Sequence, residues 1–206
     1  SKLRKHMIKL GITGGIGSGK SYVSRLLESW GIPVYDTDRE AKRLTLTHPE
    51  IRRELIALLG EEVYCGQQLN KTLLAGYLFA SRAHAERVNH IIHPRVYEDF
   101  LLWADGLKQQ GRELVGMESA ILFESGFDRA VDRVLMVYAP LEIRISRAME
   151  RDGVPEERVR ERIAAQMDDE LKCKRADFIL TNDGINPVEP QLRQIIQELG
   201  CIKACK

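Results

Sequence analysis

The chain is short of the features that mark a secreted or membrane protein. Its 206 residues hold only four cysteines, Cys65, Cys173, Cys201 and Cys205. None forms a Cys-x-x-Cys pair, and no second ligand pair stands at zinc-site spacing. Neither a structural zinc site nor a disulfide framework is therefore expected. Free thiols suit a reducing compartment, so a cytoplasmic location is expected. No apolar run approaches the roughly 18 residues of a membrane span, and no membrane partner is expected. No secretory leader is read either, because Leu10-Gly11-Ile12 leads into a glycine-rich loop and not to a cleavage site. An excess of charge of one sign is also lacking. The 31 Lys and Arg residues against 30 Asp and Glu leave a net charge of +1. That balance does not suit a non-specific nucleic-acid binder, so no nucleic-acid partner is expected. Internal repeats and low-complexity linkers are missing too. What remains is one α/β-sized domain with room for an inserted element. His90 and His93 stand three apart on a predicted helix, but two side chains are too few for a structural metal site.

What the chain does have is Gly14-Gly15-Ile16-Gly17-Ser18-Gly19-Lys20-Ser21, a full match to the phosphate-loop pattern G-x-x-x-x-G-K-[ST]. A triphosphate needs several backbone N–H groups aimed into one concavity, and glycines let the chain bend tightly enough to supply them. Lys20 is placed to reach the β- and γ-phosphates, and Ser21 to offer its hydroxyl to Mg²⁺. A short apolar run, Met7 to Ile12, precedes the loop, and a helical pattern from Tyr22 to Trp30 follows it and stops at Gly31. Strand, loop and helix N-terminus together make an anion site. The chain binds a nucleotide on this reading.

Further strands are predicted at Val34-Tyr35, Glu113–Glu118, Arg133–Ala139 and Phe178–Thr181, the last closed by the turn Asn182-Asp183-Gly184. Five apolar strands separated by helices imply a parallel sheet with helices on both faces. From about Pro49 to Gly111 the text is helical, in pieces near 50–59, 71–80 and 82–110. No strand is read there, and Pro94 is expected to kink or interrupt the last piece. The stretch from Pro140 to Lys174 reads as a charged helical hairpin, broken at Asp152-Gly153. Arg144, Arg147 and Arg151 are placed on one side of its first helix, opposite Leu141, Ile145 and Met149, and Arg158 and Arg162 stack on the second. These arginines serve equally as a solvated face or as cations over developing phosphate charge. The last helix carries Leu192, Ile195, Ile196 and Leu199 on one face and is expected to cover the sheet.

A nucleotide site leaves a kinase or a GTPase-like switch. Asn70-Lys71-Thr72-Leu73 fails the guanine-reading Asn-Lys-x-Asp pattern, and no aspartate has glycine three residues later. A kinase needs an acceptor-side carboxylate, a metal-associated acid and a lid. Asp36 and Asp38 follow the second strand, where ligands sit in open α/β sheets. Asp38 also suits the cap of a helix beginning at Arg39, and the two roles are compatible. Glu118 ends the third core strand, where a metal-associated acid belongs, acting directly or through water. Glu124 is a second polar candidate or a plain surface carboxylate.

Taken in order, these residues resemble the dephospho-coenzyme A kinases. The likeness runs from Leu10 to Ser21 through Asp36-Thr37-Asp38, His93-Pro94 and Glu118-Ser119-Ala120-Ile121-Leu122-Phe123-Glu124. It continues in Arg147, Arg151, Arg162, Ala164-Ala165-Gln166, Ala176-Asp177 and Asn182. The resemblance implies a P-loop NTPase fold of the nucleotide-kinase kind. That fold is a three-layer α/β sandwich with a five-stranded parallel sheet, a helical substrate domain and a helical lid. It also implies an ATP-dependent phosphotransferase with an alcohol acceptor, taking ATP with Mg²⁺ and dephospho-coenzyme A as partners. Within one kinase domain, the core would cover about 7–48, 112–140 and 175–200, the coenzyme-binding insertion about 49–111 and the lid about 141–174. Carried over residue by residue, Asp38 is base or acceptor-orienting residue, and Lys20, Arg147 and Arg151 serve the transferred phosphate. Residues Gly14, Gly15, Ile16, Gly17, Ser18, Gly19, Lys20, Ser21 and Tyr22, with Asn182, border ATP. Asp38, His93 and Glu118 face the substrate, and Ser21 holds Mg²⁺ with Glu118 acting through water. A monomer or weak homo-oligomer is expected. Thr37, Ala120, Tyr22 and Arg144 depart from the family pattern, and none removes a group the reaction requires. The remaining alternatives are a kinase of the same fold for another small metabolite or nucleoside monophosphate, and a non-catalytic nucleotide-binding regulator.

Overall fold

A computed structural model describes residues 6–200. Cys201 and Cys205 lie outside the described residues. The chain divides into two compact units, one of residues 6–36 with 104–200 and the other Thr37–Trp103.

The first unit is built on a parallel sheet of β1 (Ile8–Thr13), β2 (Val34–Asp36), β5 (Leu114–Glu118), β6 (Arg133–Tyr138) and β7 (Phe178–Thr181). The strand order is β2-β5-β1-β6-β7, and all four pairings are parallel. Near-continuous apolar runs make these strands, as expected where both faces are covered. Leu10, Ile12, Leu135, Val137 and Leu180 join one apolar cluster with Val23 and Leu27 of α1 (Lys20–Ser29) and Leu192, Ile195 and Ile196 of α9 (Val188–Glu198). The last helix therefore covers the sheet with the face its spacing predicts. Each large side chain so buried contributes about 1.5–3 kcal/mol, which makes this cluster the unit's main anchor. The order puts β1 centrally, so the loop after it opens at the carboxyl ends of three adjacent strands, where open α/β sheets place ligands.

The charged stretch after β6 departs from the expected hairpin. It forms three helices, α6 (Leu141–Asp152), α7 (Glu156–Ala165) and α8 (Asp169–Arg175). Arg144 does not share a charged outer face with Arg147 and Arg151. Arg144, Ile145 and Ala148 are the buried residues of α6, and Leu141 is exposed. The reason lies on α8, whose Asp169 meets the Arg144 guanidinium at 2.8 Å and lets it turn inward.

The second unit contains α2 (Thr37–Thr47), α3 (Pro49–Leu59), α4 (Lys71–Ala80) and the part of α5 (Arg82–Gln109) up to Trp103. It corrects one expectation and removes the interruption from a second, which named a kink or an interruption. A two-stranded antiparallel hairpin, β3 (Tyr64–Cys65) and β4 (Gln68–Leu69), lies where the sequence shows no strand pattern. Two residues per strand are too few to display a period of two. The hairpin is held by its neighbours: Tyr64 donates its hydroxyl to Thr45 O at 2.7 Å, and Arg52 lies over the Tyr64 ring. Pro94 does not interrupt α5, which runs unbroken for 28 residues. Proline removes one N–H, but buried Val88, Val96 and Phe100 anchor the helix on either side of it.

Candidate active site

The phosphate loop joins β1 to α1, and its glycines stand where a side chain would not fit. Gly19 caps α1 at φ 86°, a left-handed conformation. A Cβ on Gly14 would lie 2.7 Å from Val137 O. The first turn of α1 contains no acidic residue, so its N-terminal dipole is left for a ligand anion. Lys20 and Ser21 open that helix, as the motif requires.

Four consecutive loop residues are held by the chain that follows β6. A Cβ on Gly15 would collide with Arg144 Nη1. Ile16 N–H donates to Gln166 Oε1 at 3.4 Å, and the Ile16 side chain packs against a small cluster of Ile145, Ala148 and Val159. Arg147 Nη1 donates to Gly17 O at 3.4 Å, and Asn182 Nδ2 donates to Ser18 O at 2.9 Å. Asn182 also occupies the space a Cβ on Gly19 would need.

Glu118 ends β5 beside the loop, in register with Asp36 of β2. It is buried and accepts a hydrogen bond from Ser24 Oγ at 3.1 Å. Burial pushes its carboxyl above the usual carboxylate range, and the Asp36 charge adds to that rise. Lys20 and hydrogen bonds from Ser24 and Ser21 oppose it. Glu118 thus lies within electrostatic reach of the loop lysine and the loop hydroxyl. No cluster of three or more His, Cys, Asp or Glu side chains able to hold a metal occurs among the described residues. One hydroxyl with a carboxylate behind it does suit Mg²⁺, which keeps several waters and takes few protein ligands.

The other sequence-predicted residues are placed as follows. Arg147 reaches the loop, whereas the Arg151 guanidinium forks onto neighbouring Asp152 at 2.9 and 3.1 Å. Tyr22 is a little under half exposed on α1. Asp38 lies inside the first turn of α2, which begins at Thr37, so it does not cap a helix starting at Arg39. His93 lies on α5 in the same unit as Asp38. Burial lowers the His93 imidazole below its ordinary value of 6.5, and the nearby His90 charge adds to the lowering.

Glu124 is no plain surface carboxylate. Its Oε2 accepts from Met167 N–H at 3.2 Å and pairs with Lys172 Nζ at 3.4 Å. Lys172 is fully buried and donates to Ala120 O at 2.8 Å. Sequence reasoning missed Asp169 and Lys172. In a segment rich in both charges, nothing local distinguishes them from solvated residues.

With this geometry in view, comparison with known proteins decides the family. The dephospho-CoA kinase family model matches residues 8–187. The chain belongs to the dephospho-CoA kinase family. A dephospho-CoA kinase of Bacteroides fragilis is 56% identical over 189 residues, covering 92% of this chain and 91% of that protein. One of Porphyromonas gingivalis is 44% identical, covering 93% and 94%. Among solved structures, a Thermus thermophilus protein superposes with TM-score 0.76 at 37% identity, covering 95% of this chain and 97% of that one. The Campylobacter jejuni dephospho-CoA kinase shares the fold at TM-score 0.68 and 23% identity, covering 93% and 96%. The family is one of kinases, and the P-loop kinase fold extends to a shikimate kinase of Acinetobacter baumannii at TM-score 0.54.

Proposed function

We propose that this protein transfers the γ-phosphoryl group of ATP to the ribose 3′-hydroxyl of dephospho-coenzyme A, giving coenzyme A and ADP. The observation that carries the reading is the phosphate loop with buried Glu118 at the end of β5, held by Ser24 of α1, in a chain of the dephospho-CoA kinase family. A bond forms between the acceptor oxygen and the γ-phosphorus, and the bond from that phosphorus to the bridging oxygen breaks toward ADP. Asp38 takes or orients the acceptor proton. Lys20 and the loop N–H groups hold the β/γ oxygens, with Arg147 and Arg151 serving the lid side. Positioning and charge supply most of the catalysis in such transfers.

Mg²⁺ bound with ATP would supply neutralisation of phosphate charge. Ser21 would ligate it and Glu118 would act through water. Asn182 borders the base and His93 the acceptor. The segment near 49–111 serves as coenzyme-binding insertion and that near 141–174 as lid on the rest of the chain. Free Cys65 and Cys173 support work in the reducing cytoplasm, and the protein acts as a monomer or weak homo-oligomer.

An acceptor panel tests the reading. ADP release from Mg-ATP is expected to depend on dephospho-coenzyme A and to stay near background with shikimate, gluconate and nucleoside monophosphates. Faster turnover on any of those would assign a different acceptor. Acceptor-independent hydrolysis alone would remove the kinase reading.

A further inference from the structure

Behind the phosphate loop, on the side formed by the helices after β6, four charged side chains alternate in sign: Arg144, Asp169, Lys172 and Glu124. Arg144 Nη1 meets Asp169 Oδ2 at 2.8 Å, and Lys172 Nζ meets Glu124 Oε2 at 3.4 Å. Burial pushes the Asp169 carboxyl above its usual range, against the opposing charges of Arg144 and Lys172. The Arg144 side chain is 5% exposed and that of Lys172 0%. Burying such charges is costly and does not by itself stabilise a fold, since apolar residues of equal volume often do better. Arg144 Nε and Asp169 Oδ2 are both buried with no hydrogen-bond partner among the described residues, so the pair meets as charges alone, which adds to that cost.

The position of the pair accounts for its presence. Arg144 Nη1 and Asp169 Oδ1 fill the space that a Cβ on Gly15 would take. The backbone of Arg144 fills the same space at Gly17, where a Cβ would lie 2.8 Å from its carbonyl carbon. At the other end of the row, Lys172 and Glu124 grip Ala120 O and Met167 N–H. One wall of the row is thus the phosphate loop, and the other is the exit of β5, two residues beyond Glu118.

We propose that the buried Arg144–Asp169 pair is a positioning device for phosphoryl transfer, which fixes the backbone of Gly15–Gly17 from behind and, through Lys172, ties it to the exit of β5. The contacts of the pair are with the loop backbone and with each other. The pair acts through the loop, holding its N–H groups in the shape that receives phosphate, so that little ordering remains to be done on binding. The inference rests on reading the loop as the ATP site but not on the identity of the acceptor.

The test is calorimetric binding of a non-hydrolysable ATP analogue with Mg²⁺ to the wild-type protein, Arg144→Met, Asp169→Asn and the double variant, with steady-state kinetics and melting temperatures alongside. Each single variant is expected to weaken analogue binding about tenfold or more and to raise the KM for ATP, while the KM for the acceptor stays within about twofold. The double variant should lose no more than the worse single variant, because two parts of one device are not additive. Asp169→Asn keeps the shape of the carboxylate and carries the test if Arg144→Met does not fold. Analogue affinity within twofold of wild type, with only the melting temperature lowered, would reduce the pair to a structural role and overturn the proposal. Additive losses would overturn the coupling. A wild-type protein that binds the analogue but phosphorylates no acceptor would defeat the functional reading and leave this one standing.

Discussion

The phosphate loop lies between two supports of different construction. On the sheet side, fourteen buried residues of β1, β2, β5, β6, β7, α1 and α9 and their connections form one apolar cluster. On the side of α6 and α7 the corresponding cluster has three, Ile145, Ala148 and Val159, with Ile16 of the loop leaning on it. The rest of that support is polar: Arg147 on Gly17 O, Gln166 on Ile16 N–H, and the Arg144–Asp169 pair. A hydrogen bond contributes about 0.5–1.5 kcal/mol net, against about 1.5–3 kcal/mol for a large buried side chain. The sheet side therefore carries more of the apolar anchoring, and the helical side, with fewer buried apolar contacts, is expected to open first.

Breaking the sheet side should have the largest effect on stability. Leu192→Ala removes a fully buried side chain from the large cluster and is expected to cost about 2–5 kcal/mol in urea denaturation. The protein that remains folded should keep its KM for ATP; a changed KM would show that α9 shapes the loop as well. Lys20→Ala is the converse, with an expected loss of about 10²–10³ in turnover, the range for removing one charge-stabilising donor. Its melting temperature should fall far less than that of Leu192→Ala, the loss being limited to the charge Lys20 offers Glu118. A variant with intact turnover would remove the phosphate-loop assignment.

The contrast is sharpened by a smaller change on the helical side. Val159→Ala takes two buried methylene equivalents from the three-residue cluster, about 1–2 kcal/mol. That loss should appear as faster hydrogen exchange confined to α6 and α7, with the global unfolding midpoint almost unmoved. A midpoint shift as large as that of Leu192→Ala would mean that the two supports unfold as one.

The smallest effect is expected in the second unit. Burial, with the charge of His90, holds the His93 imidazole below its ordinary 6.5, so the unfolded chain takes up this proton first as pH falls. The contribution of neutral His93 is complete above that value and is lost as pH drops through 6.5 toward the folded-state value. His93→Gln should flatten the decline of melting temperature below neutrality. An unchanged slope would assign that decline to other groups.

The legibility of the sequence follows the same division. The core strands and α9 were readable because apolar runs and a 3.6-residue period are local signals. The loop was readable because close approach and left-handed backbone are written as glycine. The β3–β4 hairpin was too short to carry a period. The inward turn of Arg144 was hidden because its reason, Asp169, stands on another helix, and Lys172 takes its meaning from Ala120 and Glu124. Asp38 showed its place after β2, yet only the helix starting at Thr37 moved it from a cap into the first turn.

The most direct measurement is the mass and phosphate position of the product formed from Mg-ATP and dephospho-coenzyme A, with the wild-type protein and with Asp38→Ala. The account predicts one added phosphate on the ribose 3′-oxygen, with turnover in Asp38→Ala reduced about 10²–10⁴-fold while binding of a non-hydrolysable ATP analogue is kept. An unmodified acceptor in the presence of bound nucleotide, or a phosphate at another position, would contradict it.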